Sequence, residues 1–76
     1  MIDDLREKID EIDDQIIPLL EERLKIAKEI KKFKKKGQIF DPKREDQILS
    51  KTESHYIKDI YKTIFKNSKK VQLDDL

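Results

Sequence analysis

In the first half of the chain the apolar positions are Leu5, Ile9, Ile12, Ile16, Leu19, Leu20, Ile26, Ala27, Ile30 and Phe33. Steps of three and four dominate, the spacing of one face of an α-helix. Asp3 and Asp4 stand at the start of this stripe and a lysine run at its end, where the helix macrodipole favours each sign. Gly37 is placed to cap the C-terminus. Pro18 is the one dissenting residue: it removes a bond to the carbonyl of Asp14 and ordinarily kinks a helix. The stripe keeps its phase across Pro18, so the pattern predicts one bent helix from about Asp3 to Lys36 rather than two. At ~1.5 Å per residue such a helix is about 50 Å long. A compact globule of this chain length has a radius of gyration near ~11 Å. The helix overshoots any compact monomer, and a second copy of the chain is the simplest cover for its stripe.

The second element begins in the stretch "DPKRED", residues 41–46. Asp41 suits an N-cap, since its carboxylate can accept from a free backbone N–H. Pro42 suits the first helical position, where its missing N–H costs nothing. Lys43 and Arg44 then occupy a turn in which the positive dipole end disfavours cations. The helix carries Ile48 and Leu49 and is expected to end near Lys51. A third helix starts around Ser54, with the stripe Ile57, Ile60, Tyr61, Ile64 and Phe65. Ser68, Val71 and Gln72 continue that stripe, so two polar side chains extend an apolar face. Either they face a polar pocket, because buried polar groups need partners, or the helix emerges into solvent there. The predicted architecture is all-α: three helices per chain, one long, one short and one medium, in an intertwined homodimer, with residues 1–76 as one domain.

Composition narrows the function classes. A chain of 76 residues is at most one domain, and a domain this small is marginal alone. Charged residues are 46% of it and apolar residues 36%, and no apolar run approaches the ~20 residues needed to span a bilayer. The charged N-terminal stretch does not read as a signal peptide. With no cysteine, neither disulfides nor thiolate metal sites are available. His55 is alone and reads as a surface residue at a helix start. Net charge is +1, so no global field points to nucleic acid or membrane. "KKFKKK" reads as a dipole-favoured helix end in preference to a nucleic-acid patch. Tyr56 and Tyr61 are expected to pack. A soluble cytoplasmic helical protein is the expectation.

Three cations on the long helix have informative spacing. Arg23 and Lys34 are eleven residues apart, three helical turns and nearly one azimuth. Arg6 precedes Arg23 by seventeen residues, about 25 Å along the axis. One small ligand cannot touch both on one helix, so if both serve one ligand, Arg6 comes from a partner chain.

The stretch "LREKIDEIDDQIIPLLEERLKIAKEIKKFK", the later "DPKRE" and the "SKKVQ" of the last helix together resemble the all-helical chorismate mutase family. The resemblance runs from Leu5 to Gln72. It implies the Claisen rearrangement of chorismate to prephenate in aromatic amino-acid biosynthesis, with no cofactor and no covalent intermediate. It further implies that Arg23, and Arg6 from the partner subunit, hold the substrate's two carboxylates. Lys34 and Gln72 would donate to the ether oxygen. Glu45 would accept from the ring hydroxyl, helped by the backbone near Asp41. Arg44 would add positive charge near a carboxylate, and Ser68 would donate to one. On this reading Arg44 is misplaced for its helix because it is placed for an anion.

The segment between Glu45 and Ser68 is shorter than the family pattern, and so is the linker before Asp41. Two outcomes are open for the former: a tight turn at "KTES", or fusion of the second and third helices into one rod. Two other functions compete with mutase. An isochorismate pyruvate-lyase on the same scaffold would keep the anion-binding arginines, and a non-catalytic helical dimerisation or regulatory module would need none of the polar set.

Overall fold

The computed structural model describes residues 1–34 and 36–74. Its three α-helices are α1 (Ile2–Ile30), α2 (Pro42–Leu49) and α3 (His55–Asp74). Lys31–Phe33 and Lys36–Gln38 form short 3-10 turns in the linker after α1. There is no strand among the described residues.

α1 runs through Pro18 without interruption. Asp14 and Pro18 are both exposed, so water can reach the carbonyl that Pro18 leaves without its helical partner. The helix stops sooner than its stripe suggests. Lys31 caps it at the C-terminus, and the next turn tightens to 3-10, with the Lys34 N–H donating to the Lys31 carbonyl at 3.3 Å. Lys34 is extended, at φ −113° and ψ 136°. Lys28, Lys31, Lys32 and Lys36 sit at like-charge spacings of three and four, which oppose further α-helix; tightening the last turn satisfies orphan carbonyls instead. Phe33, assigned to the stripe by its spacing, is 86% exposed. Gly37 is no left-handed cap, for no described residue has positive φ. The expected helix end at Lys36 falls beside Lys35, which lies outside the described residues.

α2 starts as its residues dictate. The Asp41 carboxylate accepts from the Arg44 N–H at 3.1 Å, and Pro42 occupies the first turn. A tight turn, not a fused rod, separates α2 from α3. The Lys51 and Thr52 N–H groups donate to the Ile48 and Leu49 carbonyls, at 3.1 and 3.3 Å. The Thr52 hydroxyl accepts from the Ser54 N–H at 3.1 Å. The Ser54 hydroxyl then accepts from the Ile57 N–H at 3.3 Å, capping α3. Hydroxyl side chains do here what Gly or Pro does elsewhere.

α3 packs against the C-terminal end of α1, and α2 packs on α3. The core between them is small: among the described residues Ala27, Ile39 and Phe65 are the buried apolar side chains, and Gln72 is buried with them. Tyr61 packs at 5.9 Å from the Phe65 ring, tilted by 50°. Tyr56 does not pack; it is 76% exposed near the start of α3. The rest of α1 extends away from this cluster. All of residues 1–22 are exposed, the apolar ones included. The chain measures 51 × 25 × 15 Å with a radius of gyration of 15.3 Å, well above the ~11 Å of a compact chain this long.

Candidate active site

Where α1, α2 and α3 meet, a cavity of ≈ 280 Å³ opens. α1 contributes Arg23 and the end of its apolar stripe. The linker contributes Lys34, Ile39 and Asp41. α2 contributes Arg44, Glu45 and Ile48, and α3 contributes Phe65, Ser68, Lys69 and Gln72. Seven of the eight residues singled out in the sequence therefore share one cavity: Arg23, Lys34, Asp41, Arg44, Glu45, Ser68 and Gln72. Arg6 is the exception. It lies exposed on the N-terminal part of α1, about 25 Å along the helix from Arg23.

Arg23, Ser68 and Gln72 are held in ways that leave them chemistry to perform. One guanidinium nitrogen of Arg23 donates to the Ser68 hydroxyl at 2.9 Å. The guanidinium also lies 5.9 Å from the centre of the Phe65 ring, a cation–π distance. Because Ser68 accepts from Arg23, its own O–H stays free to donate. The Gln72 amide nitrogen donates to the Ala27 carbonyl at 3.0 Å. That bond fixes the amide's orientation, since its oxygen could not face another carbonyl oxygen. The nitrogen carries two hydrogens and Ala27 takes one, leaving the second available. The Ala27 carbonyl also receives the Lys31 N–H, so the α1 terminus and α3 are stitched at one atom. This settles the two readings of the third stripe: Ser68 and Gln72 face a polar cavity and do not emerge into solvent.

The cations show what the cavity favours. Among the described residues no carboxylate lies in ion-pair range of Arg23, Lys34 or Arg44. Three cations without an ion-pair partner thus border one space, together with a hydroxyl and an amide donor, and the carboxylates of Asp41 and Glu45 share the lining. Such a site selects an anion with several oxygens. Of the two carboxylates that line the cavity, Glu45 is ion-paired, 3.0 Å from the Lys69 ammonium, and Asp41 accepts from the Arg44 N–H. A second recess of ≈ 370 Å³ shares Arg23, Arg44 and Ile48 but is otherwise lined by Lys51, Thr52, Ile57 and Tyr61. It lacks Lys34, Glu45 and Gln72, so the donor set converges on the first cavity.

Two sequence arguments need correction against this geometry. Arg23 and Lys34 do not share a helical azimuth, because α1 ends at Ile30 and Lys34 is extended. Lys34 reaches the cavity through the linker's change of direction. Lys69 was missed altogether. Its signal was present: it follows Phe65 by four residues, on the face of α3 that buries Phe65. Among the described residues no cluster of His, Cys, Asp and Glu could hold a metal ion, and no helix is long and apolar enough to cross a membrane.

No curated protein and no solved structure matches the chain. The family model for chorismate mutase type II matches residues 5–73, nearly the whole sequence. Seven positions of the motifs quoted above lie in one cavity, and the family match spans all of them. The chain belongs to the chorismate mutase type II family, and is by that membership an isomerase acting on chorismate.

Proposed function

We propose that this chain rearranges chorismate to prephenate in the cavity between α1, α2 and α3, and that the site is completed by a second copy. The observation that carries the proposal is the convergence of Arg23, Lys34, Arg44, Ser68 and Gln72 on one cavity in which, among the described residues, no carboxylate is in ion-pair range of the three cations. The reaction is unimolecular, so it needs no nucleophile and no general base. It needs a flexible dianion folded into a chair-like geometry, a matter of positioning. It also needs donors aimed at the ether oxygen, where negative charge grows as the C–O bond breaks.

The residues take roles that suit their geometry. Arg23 presents a planar fork for one carboxylate, and Ser68, oriented by Arg23, donates to the same anion. Lys34 and the free amide hydrogen of Gln72 meet the ether oxygen. Glu45 accepts from the ring hydroxyl, with the backbone at Asp41 beside it. Arg44 adds positive charge at the start of α2, where the N-terminal dipole also favours an anion.

Arg6 of the partner subunit would hold the second carboxylate in an intertwined homodimer. Two features support the dimer. The exposed apolar stripe from Leu5 to Leu20 has no cover in one chain. Residues 1–22 also carry nine acidic side chains against Arg6 and Lys8, whereas residues 58–70 carry five lysines against Asp59. A second copy laid antiparallel would bring acid toward base. The proposal includes one domain per chain, no cofactor, and a place in cytoplasmic aromatic amino-acid biosynthesis.

The test is the loss of chorismate absorbance with purified protein, together with prephenate formation. Release of pyruvate from isochorismate without any turnover of chorismate would refute the mutase reading. Mixing supplies the test of shared sites. Arg6→Ala and Arg23→Ala chains, each inactive alone, should regain activity together, since one site of the heterodimer keeps both arginines. No recovery would place each site within a single chain.

A further inference from the structure

We infer that Lys69 is a positioning residue for this reaction, clamping the Glu45 carboxylate and the Phe40 ring so that Glu45 is held to receive the substrate's ring hydroxyl. The inference rests on the proposed function and adds a residue to it. The Lys69 ammonium is 3.0 Å from a Glu45 carboxylate oxygen, with both side chains only about a quarter exposed, 28% and 25%. The same ammonium lies 4.7 Å from the centre of the Phe40 ring, inside the range in which a cation is drawn to a ring face. Lys69 also lines the cavity itself.

The two contacts grip neighbouring points of one segment. Phe40 immediately precedes Asp41, the N-cap of α2, and Glu45 lies in the first turn and a half. This is the stretch that carries Asp41, Arg44 and Glu45. The side-chain bonds from Asp41 and Ser50 in and around α2 stay local, to Arg44 and Gln47. Among the described residues, Lys69–Glu45 is the ion pair that ties α2 to α3. A helix of eight residues with no buried side chain of its own is thereby registered against the helix that bears Ser68 and Gln72.

The ammonium also solves an electrostatic conflict. A carboxylate beside an arriving dianion is repelled, and an unrestrained one would swing toward water. Paired with Lys69, Glu45 keeps an acceptor oxygen at the cavity while its charge is balanced. Without Lys69 the carboxylate is both free to turn away and uncompensated.

The experiment is steady-state kinetics on the full chain with chorismate. Lys69→Met should lower kcat/KM by about ten- to a hundredfold, the scale of a displaced site group. Lys69→Arg should recover most of it. Lys66→Met removes the same charge from an exposed position outside the cavity and should stay within about twofold, the scale of a screened surface charge. In a Glu45→Gln background Lys69→Met should change the rate less than about twofold, because residues acting through one contact are not additive. A dicarboxylate inhibitor that lacks the ring hydroxyl should bind Lys69→Met as it binds the parent chain. Equal losses in Lys69→Met and Lys66→Met would overturn the inference, as would full additivity with Glu45→Gln. Weakened binding of the hydroxyl-free inhibitor would do so too, since that is what a merely structural role predicts. A parent chain that leaves chorismate untouched would instead refute the proposed function, and this role with it.

Discussion

The two ends of α1 make opposite use of the same sequence pattern. From Arg23 to Ile30 the stripe meets α3 and the linker, Ala27 is buried, and a polar cavity forms beside it. From Ile2 to Leu20 the stripe is as regular and as apolar, yet every residue is exposed. One helix thus holds an end that reaches a core at Ala27, with Leu24, Ile26 and Ile30 still 39%, 48% and 41% exposed, and a longer half with no buried side chain at all. A periodic stripe reports that a face will be covered, and it does not report by which chain. Among the described residues the buried core of one chain, three apolar side chains and Gln72, is small for a stable fold. An exposed apolar patch of this length marks an interaction face.

The sharpest way to break the comparison is to charge the unpartnered half. Ile12 is 54% exposed in the single chain, where lysine would cost little. If a second copy covers it, Ile12→Lys buries an unpaired charge, at a cost of several kcal/mol. Sedimentation and circular dichroism at micromolar concentration should then show loss of the dimer, with much of the helix signal. An Ile12→Lys chain as stable and as associated as the parent would leave the N-terminal half of α1 truly solvent-facing.

At the finished end the largest effect belongs to Lys34. Under the proposed function its charge meets one that develops mainly in the transition state, so Lys34→Ala should lower kcat far more than it raises KM. Removing one such donor commonly costs about 3–4 kcal/mol of activation free energy. An unchanged kcat with raised KM would make Lys34 a carboxylate anchor.

How these features were legible differs from residue to residue. Asp41 and Pro42 announce the start of α2, and the structure places it there, because capping is a local interaction carried by adjacent residues. The same holds for Ser54 at α3. The candidate residues were singled out through resemblance and spacing, and seven of the eight line one cavity. The route of Lys34 to the site was not legible. A helix-long azimuth argument presumes that the helix continues, and the end of α1 is decided by lysine repulsion and linker packing. The "KTES" turn stayed open because its stops are hydroxyl–backbone bonds of Thr52 and Ser54, which propensity alone does not reveal. Lys69 was passed over because one lysine among eighteen cations acquires meaning only when Glu45 and Phe40 are seen beside it.

Gln72 sharpens the comparison at a smaller scale, because it stitches α3 to the finished end of α1. On the stripe alone, leucine there would extend an apolar face and add stability. The structure changes that expectation. Gln72→Leu removes a buried bond to the Ala27 carbonyl, although that carbonyl keeps its bond from Lys31. The expected loss is modest, about 0.5–1.5 kcal/mol, with activity falling far more. Gln72→Glu adds a pH signature. The neutral acid can donate to the Ala27 carbonyl, whereas its carboxylate would face that oxygen and the negative end of α1. Arg23, Lys34 and Arg44 line the same cavity and pull the other way, but the buried contact with the Ala27 carbonyl is direct, and where it prevails the folded pKa is raised above the unfolded value of about 4.3. The folded chain then binds more protons than the unfolded one, so stability falls as pH rises from about 4.3 through the folded pKa. Melting temperature and activity of this variant should both climb as pH drops, against a parent measured in parallel. Identical pH profiles in parent and variant would remove the Ala27 contact.

Gly37 carries the smallest expected effect and separates the two pictures of where α1 ends. If Gly37 capped a helix reaching Lys36, it would need a left-handed backbone, and alanine there would cost about 1 kcal/mol or more. The structure gives it no positive φ and ends α1 seven residues earlier, with a 3-10 turn around Gly37. A Cβ built at this position meets nothing within 4 Å. Gly37→Ala should therefore stabilise the chain by about 0.4–1 kcal/mol, by restricting the unfolded state without straining the folded one. The linker it stiffens delivers Lys34 and Asp41 to the cavity, so activity should hold or rise slightly. Denaturant midpoints of parent and variant decide the matter. A lower midpoint in Gly37→Ala would restore the glycine cap and, with it, a helix long enough to carry Lys34 on the azimuth of Arg23.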